Sequence, residues 1–297
     1  MNLEGPIFVL GKGGVGKTTL AVGLATLAVE RGLRTLLVRL GESLDETQAK
    51  SRAPSRSGQG YDVVDLEPRH AMDEYVRKVV RVGPLAERVI SSDVYRKFFA
   101  AAPGLPELVL LGRMRAFAKE QTRGGTTRWQ CMIVDCPSSG HGLLMLETPF
   151  AAYRAVPIGP FARLASQIID WLRTEVRVAL VAIPEEMAVV EAVELADELH
   201  QRIGLKPSFV FLNRVRRENL SAAARQAISS ADRAPGPLDR VLIQCATRVQ
   251  RRARLEAFHR KRLTKGLGRS AIAVGEAHKG RPAAIVADLR SVFEADA

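Results

Sequence analysis

Gly11-Lys12-Gly13-Gly14-Val15-Gly16-Lys17-Thr18-Thr19 is the most informative run in this chain of 297 residues. Before it stands Pro6-Ile7-Phe8-Val9-Leu10, an apolar burst with the character of a buried strand. After it, Leu20, Leu24, Leu27, Ala28 and Arg31 recur at helical spacing. Strand, glycine loop and helix in that order are the setting a phosphate-binding loop requires. Glycines let backbone N–H groups turn inward around an anion, and a helix N-terminus adds partial positive charge at the same point. In such a loop Lys17 reaches the β- and γ-phosphates and the Thr18 hydroxyl holds Mg²⁺. The implied ligand is a nucleoside triphosphate.

Further strands are expected at 34–40, 131–135, 178–183, 209–213 and 271–274, with helices between them, notably Glu185 to Arg202 and Ala283 to Phe293. Alternation of this kind predicts an α/β fold with a mainly parallel sheet flanked by helices. Residues Ala53 to Gly60 read as a mobile loop. The helical stretches at about 66–121 and 216–265 lack strand partners, so they are expected to pack together as an α-helical subdomain inserted in a single domain spanning 1–297. Leu110 and Met114, at helical spacing, read as core.

Composition narrows the classes. No apolar run approaches the roughly 18 residues of a membrane span, and the chain enters its first strand without room for a signal peptide, which predicts a cytoplasmic protein. Cys131, Cys136 and Cys245 make neither a disulfide framework nor a C-x-x-C pair, so no structural zinc is expected. On one strand, Cys131 and Cys136 lie about 16 Å apart, too far to chelate one metalloid ion. The net charge is +12, and basic residues crowd Arg248 to Arg269. Nucleic acid, anionic lipid, an acidic protein partner or a merely solvated helix face each account for such a cluster.

A second constellation, Asp135-Cys136-Pro137-Ser138-Ser139-Gly140-His141, follows an apolar strand directly. An acid at the carboxyl end of a strand is placed to hold a water-bound Mg²⁺, with Thr18 as its partner, and the small-residue loop beyond it to sense a γ-phosphate. Nothing nearby in sequence orients His141 as a general base. Asn213, ending a strand, offers donor and acceptor to a purine edge.

These motifs resemble the ArsA family of arsenical pump-driving ATPases, whose eukaryotic branch targets tail-anchored membrane proteins. Lys12 gives the loop the deviant form found in MinD, ParA, nitrogenase iron-protein and arsenical-pump ATPases, where the early lysine crosses a dimer interface to the partner's nucleotide. Asp135 to His141 resembles the family's D-T-A-P-T-G-H second switch without gaps. Ala101 to Leu108, Ile183-Pro184-Glu185-Glu186-Met187 and Leu212-Asn213-Arg214-Val215 resemble further family phrases. The resemblance implies a P-loop NTPase fold and ATP with Mg²⁺ as cofactors, held by Gly11 to Thr19. It also implies Lys12 and Lys17 as catalytic cations, Asn213 on the adenine edge, and Ser139, Gly140 and His141 in the second switch. The implied partners are an ArsA-like homologue, as a homo- or heterodimer, and a protein client or membrane partner.

One segment departs from the family. Its first switch reads D-P-A-H-S-L, with an aspartate that positions the attacking water, whereas alignment on Ser43-Leu44 puts Arg39 there. Arginine cannot take the water's proton, and Glu42 and Asp45 lie several residues away. Three readings follow: a slow ATPase switch, an inactive regulatory subunit of a heterodimer, and a ParA-like DNA partition ATPase using 248–269. Attachment to a membrane through the final stretch is disfavoured, because Asp288 to Asp296 ends acidic.

Overall fold

A computed structural model of the chain describes residues 2–40, 53–80, 82–216, 226, 237–275 and 283–294. Strand β1 (Gly5–Gly11) leads into α1 (Lys17–Glu30) and β2 (Thr35–Leu40). A hairpin of β3 (Ser55–Arg56) and β4 (Asp62–Leu66) precedes four helices: α2 (Pro68–Val79), α3 (Gly83–Ser91), α4 (Asp93–Ala101) and α5 (Leu105–Ala118). Then come β5 (Cys131–Asp135), α6 (Ser139–Ala155), α7 (Pro160–Thr174), β6 (Arg177–Ala182) and α8 (Glu186–Ile203). The chain continues with β7 (Pro207–Val215), α9 (Pro237–Leu267), β8 (Ile272–Gly275) and α10 (Ala283–Glu294).

The strands form one sheet in the order β3-β4-β2-β5-β1-β6-β7-β8, parallel except for β3. Both faces of its central strands are covered, which explains why they read as continuous apolar runs. In β1, Ile7 and Val9 face a core shared with Leu24 of α1 and Leu289 of α10, while Phe8 and Leu10 face one built from α5 to α8. β5, β2 and β4 lie to one side of β1 and β6, β7 and β8 to the other, and the loop after β1 lies at the carboxyl edge, where open α/β sheets bind ligands.

All six expected strands are present. β4 had no strand signal, because Asp62 and Asp65 interrupt its apolar pattern. Residues 53–60, expected as a mobile loop, include β3 and a turn in which Ser57 N–H donates to the Tyr61 carbonyl at 2.9 Å. Among the described residues α5 packs against α6 and α7 and α2 packs on α5, whereas α9 packs chiefly on α8. Helices α6 to α8 occupy the space between them on the same face, and most of 217–236 lies outside the described residues. Leu110 and Met114 are core residues, and Met72 is buried too. Among the described residues no helix is long and apolar enough to cross a membrane.

Trp171 of α7 is fully buried and meets Phe8 edge-on, with ring centroids 5.9 Å apart. Trp171→Ala is expected to lower unfolding free energy by about 3–5 kcal/mol, read by urea titration with circular dichroism. A loss below about 1 kcal/mol would mean that the helical layer does not depend on this contact.

Candidate functional site

The loop from Gly11 to Lys17 is shaped by its neighbours. A Cβ on Gly11 would lie 2.4 Å from the Val181 carbonyl oxygen of β6. Gly16 has φ +90°, and a Cβ there would lie 2.3 Å from Asn213 Nδ2. Gly13 differs: its φ is not left-handed and a Cβ would meet nothing within 4 Å. The protein itself does not require glycine there, which fits a backbone that a ligand must approach closely. Gly14 completes the turn and Val15 is buried beneath it, while α1 begins at Lys17 with no side-chain cap and no acid in its first turn. Its first N–H groups are therefore oriented for an anion.

Lys17 Nζ donates to the Lys12 carbonyl at 3.1 Å, arching back over the loop. Thr18 and Thr19 follow in the first turn. The Thr18 hydroxyl bonds to Asp135, the last residue of β5, which lies in register with Val9 of β1 and Arg39 of β2. Burial pushes the Asp135 carboxyl above its ordinary pKa, opposed by the Thr18 hydrogen bond and by the charges of Lys17 and Arg39. Its Oδ1 is buried with no hydrogen-bond partner. A buried orphan oxygen beside a threonine hydroxyl is a donor set suited to Mg²⁺. The residues present thus fit the ion.

Asn213, 3% exposed at the end of β7, comes to the loop but grips it from behind. Its Nδ2 donates to the Val15 carbonyl at 2.8 Å, and its Oδ1 accepts from Arg214 N–H at 2.9 Å. Arg214 is the only non-glycine residue with positive φ among those described. One donor hydrogen and one acceptor site of the carboxamide remain for a purine edge.

Lys12 Nζ contacts Glu191 Oε1 of α8 at 2.5 Å. Sequence reasoning missed Glu191, and Glu186, at the start of α8, pairs instead with Arg262 at 3.3 Å. Ser139 and Gly140 open α6, and His141, largely exposed, lies 4.0 Å from Glu107 of α5. Arg39 forms a bidentate pair with Asp65 of β4, at 2.7 and 2.9 Å. Glu42 and Asp45 lie outside the described residues. Cys131 and Cys136 are buried, and burial pushes the Cys131 thiol up to about 12 and the Cys136 thiol also upward. Neither is disposed to bind a thiophilic ion.

Comparison with known proteins agrees with this geometry. Residues 7–254 match the model of the CobQ/CobB/MinD/ParA nucleotide binding domain. The chain belongs to that family. It is 26% identical over 257 residues to an arsenical pump-driving ATPase of Escherichia coli, covering 76% of this chain and 43% of that protein. It is 23% identical over 205 residues to the ATPase BagA of Mycobacterium tuberculosis, covering 65% of this chain and 60% of that one. ATPase ASNA1 homolog 1 of Paramecium tetraurelia is 24% identical over 149 residues, 48% of this chain and 43% of that protein. The chain thus spans less than half the length of the Escherichia coli relative it matches. Within the family its ArsA-type character accords with the phosphate loop and the Asp135 segment.

Because burial raises the Asp135 pKa, its ionised form weakens the fold at neutral pH. That penalty fades as pH falls through the folded pKa toward the ordinary value. Asp135→Asn is therefore expected to raise Tm at neutral pH, a gain that shrinks on acidification. The same variant should lose the extra stabilisation Mg²⁺ gives in the presence of nucleotide. Scanning calorimetry against pH checks both, and a lower neutral Tm for the variant would contradict the burial argument.

Proposed function

We propose that the chain is an ArsA-like ATPase, a nucleotide-controlled dimeric switch acting on a protein client or membrane partner, with slow hydrolysis. One observation carries the reading: the glycine loop, Lys17 and the unpartnered Asp135 oxygen meet at the carboxyl edge of one parallel sheet. The relatives named as ATPases support the reaction, ATP and water giving ADP and phosphate.

Backbone N–H groups of Gly13 to Lys17 bind the phosphates, Lys17 neutralises charge on the β- and γ-oxygens, and Asn213 keeps the loop in shape and faces the purine. Thr18 and Asp135 would hold Mg²⁺, which would supply neutralisation of the phosphate charge. Hydrolysis further needs a group to orient water in line with the γ-phosphorus. Arg39, fixed to Asp65, presents a cation where an acceptor is required. This supports slow turnover, and equally supports the second reading, a regulatory subunit whose Lys12 completes a partner's site. The second switch abuts the helical layer through His141 and Glu107, a route by which phosphate contact at Ser139 and Gly140 reaches α5.

In a dimer of this type Lys12 must reach across to the partner's nucleotide, so it must first leave Glu191. Glu191→Gln is expected to increase the ATP-dependent dimer fraction severalfold in analytical ultracentrifugation. An unchanged fraction would show that the pair does not restrain Lys12. Lys17→Ala should weaken Mg²⁺–ATP binding at least about 100-fold by calorimetry, and retained affinity there would refute the site. Replacing Arg39 alone would leave Asp65 facing a new acid. Turnover is therefore expected to rise in the double variant Arg39→Asp with Asp65→Asn, and wild-type turnover in that variant would remove Arg39 as its cause.

A further inference from the structure

We propose that the outward face of α9 docks on an anionic lipid surface. From Arg240 to Arg269 the chain carries ten basic residues and one acid, Glu256. That acid faces inward and is buried, as are His259 and Leu263. From Arg251 to Lys265 every exposed side chain is cationic or apolar. Phe258 is 58% exposed and Leu255 49% exposed. Phe258 lies one helical turn from Arg254 and from Lys261, and Leu255 one turn from Arg251. Among the described residues, no acid pairs with Arg251, Arg254, Lys261 or Lys265.

Two bulky apolar side chains ringed by unpaired cations match what a charged bilayer offers: phosphate outside and hydrocarbon just beneath. Duplex nucleic acid would satisfy the cations but gives aliphatic Leu255 nothing to enter. The stretch from Arg251 to Lys265 is about 21 Å long, so one helix face suffices to lie along the interface. The C-terminal helix is not available for this role. Ile285 and Leu289 of α10 are buried against α1, where a Cβ on Gly23 would meet the Ile285 side chain at 2.8 Å. The inference uses no nucleotide contact and stands apart from the ATPase reading.

Flotation of the full chain with vesicles tests it. Binding is expected to phosphatidylcholine vesicles containing phosphatidylglycerol, weakening with salt, and not to phosphatidylcholine alone. Each cation near such a surface is worth about fivefold in affinity, so Arg251→Glu with Arg254→Glu should reduce partitioning at least twentyfold. Phe258→Ala should reduce it about tenfold without altering the salt dependence. Phe258→Trp should show a blue shift in emission on adding anionic vesicles, against the two buried native tryptophans. These side chains are exposed, so thermal melts should match wild type. Failure to float with anionic vesicles overturns the proposal. So does full partitioning by Phe258→Ala combined with displacement from vesicles by duplex DNA, which would assign the face to nucleic acid.

Discussion

No side chain fits between Gly16 and the Asn213 carboxamide, and the geometry of the site follows from that restriction. β7 lies two strands away from β1, with β6 between them. The hydrogen bond from Asn213 to the Val15 carbonyl therefore ties the phosphate loop to a strand outside its own βα unit. The tie is buried, where an unmade hydrogen bond costs most. It also brings Arg214 into a left-handed conformation, with its N–H bonded back to the same carboxamide. The loop thus holds its curvature through the protein's own contacts, and the N–H groups that would meet a phosphate are arranged in advance.

Around this rigid element the charges are balanced in pairs. Lys12 meets Glu191, Arg39 meets Asp65, and Lys17 reaches a carbonyl while its charge is felt at Asp135. The first two pairs are partly exposed, so each contributes little to stability and can be exchanged for another partner at small cost. Asp135 is the exception. Its desolvated carboxylate keeps one oxygen unpartnered, a local conflict of the kind that marks working sites more often than structural ones. Binding of a cation would relieve it.

Sequence revealed most of what lies along the chain and little of what crosses it. The glycine loop, the six core strands and Asp135 stand in contiguous apolar runs with their motifs attached, so local pattern sufficed. Strand β4 escaped because its two aspartates look like loop residues; one of them is the anchor for Arg39, a fact contained in β2–β4 pairing alone. Glu191 escaped for the same reason. Acids on a helix are common, and only the tertiary fold decides which one meets Lys12. Periodicity marks an apolar face on a helical stretch without saying what covers it, so the packing of α5 on α6 and α7 and of α9 on α8 is a tertiary fact.

The same tertiary logic accounts for Glu256, the single acid between Arg240 and Arg269. Its Oε2 accepts from Arg216 N–H at 3.2 Å and its Oε1 from Arg252 Nε at 3.2 Å. Arg216 follows Asn213 by three residues, so one short segment of backbone joins the strut behind the phosphate loop to the anchor of α9. Any rearrangement of the end of β7 must carry α9 with it or break a buried, charge-assisted hydrogen bond, and breaking one leaves a desolvated carboxylate behind. A basic stretch from Arg240 to Arg269 whose one acid faces inward is therefore not a random solvated run. The acid fixes which side of α9 faces the sheet, and that orientation puts Phe258 and its surrounding cations on the outside.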